Sequence, residues 1–173
     1  MPCGREIIAA DLGVFAKRWS ALFDGADAVV HLAANPDPSA GWSKLLSSNV
    51  DAVLNIYLAA ARYGVKRVVL ASSVWAMADR FHDEAPIYAG EPAPGSNSYG
   101  VTKMFGERIG KAFAHTYGNF TVALRLGHCR AGSNEPSPAP EAWEDACWIS
   151  NRDVRNGLER TIRAEVSASW WPT

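Results

Sequence analysis

Apolar positions along the chain fall into two alternating kinds of run. Short runs, apolar almost throughout, cover residues 6–10 (EIIAA), 28–34 (AVVHLAA), 65–71 (VKRVVLA) and 121–126 (TVALRL). Each has the length of a strand, most are rich in Val or Ile, and each stops at a turn signal. The stops are Asp11 with Leu12, the loop of residues 35–38, Ser72 with Ser73, and Gly127. Between these runs, residues 15–23, 45–63, 99–117 and 153–164 carry helical spacing. The second is the clearest, with Leu46, Val50, Val53, Leu54, Tyr57, Leu58 and Ala61 on one stripe and Gly64 as a stop. Gly118 stands in the same place after the third. Strand and helix in alternation, with near-continuously apolar strands, predict an α/β fold: a parallel sheet covered by helices on both faces. In such a sheet the loops beyond the strand carboxyl ends build the ligand site. Two stretches break the rhythm, residues 83–98 and residues 132–141 with Pro136, Pro138 and Pro140. No repeat and no internal boundary divides the chain, so residues 1–173 read as one domain.

Composition removes several classes of function. At 48% hydrophobic and 20% charged residues the chain can bury a core. A formal charge of -1 gives no electrostatic footprint for nucleic acid or an anionic membrane, so neither is an expected partner. No apolar run approaches the ~20 residues of a membrane span, and residues 1–5 hold no signal-peptide pattern. Three cysteines, Cys3, Cys129 and Cys147, are odd in number and lack metal-type spacing, which fits free thiols and a cytoplasmic location. His128 beside Cys129 and Cys147 supplies no paired spacing and no clear fourth ligand, so no metal is expected.

The densest local chemistry lies in residues 98–103 (SYGVTK). Tyr99 and Lys103 stand four apart in a helical segment and share one face. A phenol with a pKa near ~10 is too weak a base at neutral pH. A neighbouring ammonium favours the phenolate, lowers that value and makes a proton-transfer group. Ser73, at the carboxyl end of the third apolar run, is a hydroxyl placed to hold a reacting oxygen. The same Tyr-Lys spacing also occurs on many solvated helices. Ser72 and Ser73 are not inside a G-x-S-x-G elbow, so a hydrolase nucleophile is not indicated. Asp83 and Glu84 read as a solvated loop pair, and Trp170 and Trp171 as core or capping residues or as an interface patch.

Taken together, AVVHLAA at residues 28–34, Asn49 with Val50, VKRVVLASS ending at Ser73, and SYGVTKMFGE from Ser98 resemble the extended short-chain dehydrogenase/reductases. That family includes the NAD-dependent epimerases and dehydratases, and the resemblance runs from about residue 6 to residue 154. It implies a Rossmann-like domain with NAD as cofactor, NADP remaining open. By the resemblance Ser73, Tyr99 and Lys103 match the catalytic trio. Tyr99 is the base for the substrate hydroxyl, Lys103 holds the nicotinamide ribose and depresses the Tyr pKa, and Ser73 orients the reacting oxygen. Asp11 and Leu12 match the pair around the adenine, and Leu32, Ala33 and Ala34 the strand end against which the cofactor lies. Asn49 is either the family's active-site asparagine or a polar tie inside the long helix.

Within the family the chain is most similar to uronate dehydrogenases and related sugar dehydrogenases, which implies a sugar or sugar acid as substrate. It departs from them at the substrate positions. Val74 and Trp75 replace an Asn-His pair after the serine, and His128 replaces a serine. The arginine that clamps the carboxylate has only Arg130 and Arg152 as candidates. A neutral or phosphorylated sugar therefore stays open. So do an epimerase or dehydratase that uses the same three residues with a retained cofactor, and a catalytically silent homologue.

The resemblance also implies truncation at both ends. A dinucleotide site opens with a strand, a glycine-rich turn and a helix whose N-terminus receives the pyrophosphate. Gly4 stands alone, and Gly100, Gly106 and Gly110 belong to the Tyr99 helix. The expectation is therefore a partial Rossmann-like sheet that lacks the N-terminal β-α-β glycine-rich unit, with an incomplete C-terminal substrate portion. Two strands absent between the family's third and fourth open a gap of about 14 Å. The outer edge of residues 28–34 would then be unpaired. Either residues 6–10 move in beside it, or a second copy of the chain covers it as a homo-oligomer, or the fold is weak. The central strands are expected at residues 28–34 and 65–71.

Overall fold

The computed structural model describes residues 7–82, 86–91, 95–130, 132–136 and 142–165. Three parallel strands form its sheet: β1 (Ala28–His31), β2 (Arg67–Ser73) and β3 (Phe120–Leu126), in the order β1-β2-β3. Register sets Ala28 beside Arg67 and His31 beside Leu70, then Arg67 beside Phe120 and Ser73 beside Leu126. Each crossover steps to the next neighbour in one direction, so right-handed connections place both crossover helices on one face. These helices are α3 (Ala52–Arg62), preceded by α2 (Trp42–Leu45), and α4 (Ser98–Tyr117).

Val53, Ile56, Tyr57 and Ala60 of α3 meet Val68 and Leu70 of β2 in one core cluster, with Phe105, Ile109 and Phe113 of α4 packed against it. Trp19 and Phe23, from α1 (Lys17–Ser20) and the 3-10 turn after it, close the cluster at its side. Alternation along β2 turns Arg67 to the opposite face. There its guanidinium bonds the carbonyls of Ile162 and Ala164, at the end of α6 (Asn151–Arg163). Helices thus lie on both faces, as the pattern predicts. Helix α4 is bounded at both ends: Asn97 Oδ1 accepts from Gly100 N at 2.7 Å, and Gly118 takes a left-handed φ of 68°.

Several expectations need correction. Only β2 is central; β1 ends at His31 and lies at an edge of the sheet. Residues 7–10 form no strand and do not move in beside it. Their neighbourhood is held by other donors: Arg18 to the Ala9 carbonyl at 3.2 Å, Asn55 to the Leu12 carbonyl at 2.8 Å, and Gly13 N to Asp11 Oδ1 at 2.9 Å. These bonds fix a turn, where a ladder would need extended backbone. The long helix of residues 45–63 starts earlier and is interrupted, because Leu46–Asp51 widens into a π-helical turn between α2 and α3. A five-residue helix, α5 (Ala142–Ala146), follows the irregular stretch of residues 132–141, where the pattern predicts no element. Cys3, Asp83, Glu84, Trp170 and Trp171 lie outside the described residues.

A polar network binds α4 to the strand ends. Arg125 of β3 grips Glu107 of α4 through both carboxylate oxygens, at 3.0 and 2.9 Å, and also donates to the Glu91 carbonyl at 3.2 Å. Ser72 donates to the same Glu107 at 2.6 Å. The pair is about one fifth exposed, so water screens it only in part. Arg125→Met would leave Glu107 charged and unpaired. The expected loss is about 2 kcal/mol, below the cost of breaking a fully buried pair, read as a lower urea midpoint at unchanged slope. Adding Glu107→Leu should restore at least half of it.

Candidate active site

The carboxyl ends of β1 and β2 and the first two turns of α4 bring one group of side chains together. Ser73 closes β2, and its hydroxyl accepts from Trp75 N at 3.2 Å. Tyr99 sits in the first turn of α4, buried, with its side chain near that of Ser73. One turn further on, the Lys103 ammonium lies 5.4 Å from the centre of the Tyr99 ring and donates to the Ala71 carbonyl at 2.9 Å. The first turns of α4 can lie this close because position 100 is glycine: a Cβ there would meet the Trp75 carbonyl oxygen at 2.4 Å.

Electrostatics in this group follow burial. Desolvation raises the Tyr99 phenol above its ordinary value, and the nearby Ser73 hydroxyl only partly offsets it. This reverses the expectation that Lys103 depresses the Tyr99 pKa, because the ammonium is directed to the Ala71 carbonyl. Lys103 itself is pushed down to about 8 by burial. His31, which the sequence reading did not single out, closes β1 behind Lys103. Burial first, and the Lys103 charge second, push its imidazole down to about 4. A lone polar residue within AVVHLAA was the available signal.

Asn49 comes from the π-helical turn. It accepts from Asn35 N at 2.8 Å, donates to the Asn35 carbonyl at 3.1 Å and donates to Thr102 Oγ1 at 3.2 Å. It thus ties the loop after β1 to α4. His31, Ala33, Ala34, Asn49, Thr102 and Lys103 line a small space of about 10 Å³, room for one water at most. Leu32 stands beside it, 54% exposed. Asp11 and Leu12 have a separate support. Asp11 holds the Gly13 amide, and Leu12 packs on the main core.

The candidates on the far side divide. Val74 opens the 3-10 segment Val74–Arg80, half-buried. His128 is bound through its backbone, its N–H donating to the Cys147 carbonyl at 2.8 Å and its carbonyl accepting from Ile149 N at 3.2 Å. The Arg130 guanidinium is paired with Asp145 at 2.7 Å. Arg152, in the first turn of α6, has its side chain 83% exposed and stands apart from the group. Among the described residues no three His, Cys, Asp or Glu side chains gather as metal ligands, and no helix is long and apolar enough to cross a membrane.

Residues 5–141 match the family model described as the NAD dependent epimerase/dehydratase family. The chain is 30% identical over 163 residues to an L-arabinose 1-dehydrogenase (NAD(P)(+)) of Haloferax volcanii, covering 85% of this chain and 64% of that protein. To a uronate dehydrogenase of Pseudomonas putida it is 31% identical over 158 residues, covering 91% and 55%. The crystal structure of uronate dehydrogenase from Agrobacterium tumefaciens superposes with a TM-score of 0.75 at 27% identity, covering 96% of this chain and 60% of that one. The chain spans about half to two thirds of the length of the curated relatives it matches.

The His31 environment sets a dependence on acidity. Its folded pKa of about 4 lies below the ordinary 6.5, so between these values the unfolded chain binds the extra proton and folding opposes it. The stability present above pH 6.5 is therefore lost as pH falls towards 4, by about 3 kcal/mol at most. Thermal denaturation at pH 7 and pH 4.5 should show that loss in the parent. His31→Gln should shrink the difference, and an equal drop in both proteins would refute this assignment.

Proposed function

The chain belongs to the NAD dependent epimerase/dehydratase family, and on that premise we propose that it acts as an NAD(P)-dependent dehydrogenase of a sugar, with Tyr99 as general base. The observation that carries the reading is Tyr99 near Ser73 at the end of β2, with the Lys103 ammonium one helical turn away. The dehydrogenases among the relatives support the reaction class.

The described residues suit the nicotinamide and ribose end of the cofactor. Ala33 and Ala34 present small side chains beside β1, and Lys103 and Asn49 line the same space, which holds one water at most until it opens. No glycine-rich turn at a helix N-terminus lies among the described residues to receive a pyrophosphate. When bound, the cofactor supplies the hydride acceptor. This chain's own residues do the rest. Ser73 holds the substrate oxygen by a hydrogen bond. Tyr99 Oη takes the proton from the hydroxyl oxygen while the hydride leaves the carbon that bears this oxygen, so a C–H and an O–H bond break and a C=O bond forms. Lys103 contributes a positive charge near the phenol once ribose hydroxyls draw its ammonium off the Ala71 carbonyl. Asp11 and Leu12 take the adenine in this reading. Asn49 keeps the loop of Asn35 and helix α4 in register for the rest.

Tyr99→Phe should reduce NADH formation from a sugar by 10²–10⁴-fold with the melting temperature little changed. In the parent, kcat/KM should climb with pH from 6 towards 8, as the phenol gives up its proton more readily. A Tyr99→Phe protein of parental activity would overturn the assignment.

A further inference from the structure

The loop after β1 and the first turns of α4 come from distant parts of the chain, and two buried side chains join them. The first is Asn49, 5% exposed, in the π-helical turn. Its side-chain amide can donate two hydrogen bonds and accept two, and all four are made. Oδ1 accepts from Asn35 N and from Ser48 Oγ, both at 2.8 Å. Nδ2 donates to the Asn35 carbonyl at 3.1 Å and to Thr102 Oγ1 at 3.2 Å. An amide so held cannot turn without breaking several bonds at once, in surroundings where water does not replace them.

The second is Thr102, 1% exposed, one residue before Lys103. Its hydroxyl has one hydrogen and gives it to the Tyr99 carbonyl at 2.7 Å. It therefore meets Asn49 as an acceptor, which matches the donor that Asn49 presents. The bonds run in one direction, from Asn49 Nδ2 to Thr102 Oγ1 and from that hydroxyl to the carbonyl of Tyr99. A helical threonine commonly bonds back to the turn before it, which accounts for the contact with Tyr99. It does not account for the bond from Asn49, 53 residues earlier in the chain.

Placement decides what this link can do. Asn35 directly follows Ala33 and Ala34, which line the Lys103 space and which the dehydrogenase reading gives to the cofactor. Tyr99, at the other end, is the candidate base. Transfer of a proton and a hydride from one substrate needs the base and the cofactor at a set separation. A misplacement of about 1 Å costs about 10²-fold in rate. The loop and the helix meet here through side-chain hydrogen bonds that a single hydroxyl completes.

We propose that Thr102 is a positioning residue of the candidate site: its hydroxyl carries the hold of Asn49 on the Asn35 loop to the backbone of Tyr99, and so sets the base against the cofactor side. The proposal rests on the dehydrogenase reading for what the positioning serves, whereas the link itself is tested without turnover. Thr102→Val keeps the shape of the side chain and removes the hydroxyl, leaving Asn49 Nδ2 without this acceptor. Thr102→Ser keeps the hydroxyl. NADH formation from L-arabinose and from D-glucuronate is measured on the full chain, well below the melting temperature of every variant. In parallel, amide hydrogen exchange is followed by NMR at Asn35, with Val68 and Val69 in the buried centre of β2 as references.

Thr102→Val should lower kcat by about tenfold or more with KM for sugar and for NAD within about threefold, the mark of an interaction that serves the transition state. Its Asn35 amide should exchange about threefold faster or more, with Val68 and Val69 unchanged, because only the link through Asn49 connects position 102 to that amide. Thr102→Ser should return kcat and Asn35 exchange to within about threefold of the parent. Asn35 exchange at the parental rate in Thr102→Val would overturn the proposal, as would a parental kcat or an equal loss in Thr102→Ser. NADH from neither sugar in the parent would remove the dehydrogenase reading, and Asn35 exchange would then decide the link alone. If Thr102→Val fails to fold, Thr102→Ala decides in its place by the same measurements.

Discussion

Helix α4 packs so closely on its neighbours that a side chain would clash at two of its positions and crowd a third. A Cβ at Gly100 would meet the Trp75 carbonyl oxygen at 2.4 Å, one at Gly106 the Leu70 side chain at 3.0 Å, and one at Gly110 the Tyr57 hydroxyl at 2.5 Å. This approach is the constraint on which the strand-end chemistry depends. It lets the Lys103 ammonium reach the Ala71 carbonyl across the helix–sheet interface, and it brings the Tyr99 hydroxyl to the end of β2 where Ser73 stands. Arg125 and Ser72, both on Glu107, then hold the helix in register on the strands, because a shift would take that carboxylate from both partners.

Burial also dominates the electrostatics. His31 and Lys103 are basic groups whose charged forms are disfavoured, and Tyr99 is an acid whose charged form is disfavoured, so all three move towards neutrality. The pairing of Tyr with Lys on one helix face is the feature that suggests a lowered phenol pKa. Spacing alone says only that the two side chains leave the helix in one direction. Where the flexible four-carbon arm of the lysine ends is decided by the nearest acceptor, and that acceptor is a carbonyl 32 residues away in sequence.

The same distinction separates what was legible in the chain from what was not. The apolar runs marked β2 and β3 to within two residues, and Gly118 marked the end of α4, because hydrophobic continuity and a left-handed cap are local properties. Ser73, Tyr99, Lys103, Asn49 and the two alanines were identifiable from motif order, and the fold brings Asn49, Lys103, Ala33 and Ala34 to one pocket. Features that depend on distant partners were not legible. The helix of residues 45–63 opens into a π turn at Asn49, whose partners lie on Asn35 and Thr102. Helix α5 has five residues, too few for a period to register, yet it positions Trp143 against Trp75 and Asp145 against Arg130. Arg130 read as a candidate carboxylate clamp, and nothing near it in sequence announces its ion pair with Asp145.

The position of Lys103 connects these observations to the proposed chemistry. An ammonium carries three donors, and the Ala71 carbonyl satisfies one of them. Its remaining hydrogen-bonding capacity lies beside a space too small for more than one water. A ligand bringing hydroxyl oxygens to that ammonium would restore part of its lost hydration, and so raise the Lys103 pKa from about 8 towards its ordinary range. The charge so regained sits 5.4 Å from the centre of the phenol ring, close enough to favour the phenolate in a medium less polar than water. The raised phenol pKa of the unliganded site is therefore compatible with a base that acts only on a filled site. One group, the lysine, would sense the ribose, and its neighbour one turn earlier would move the proton.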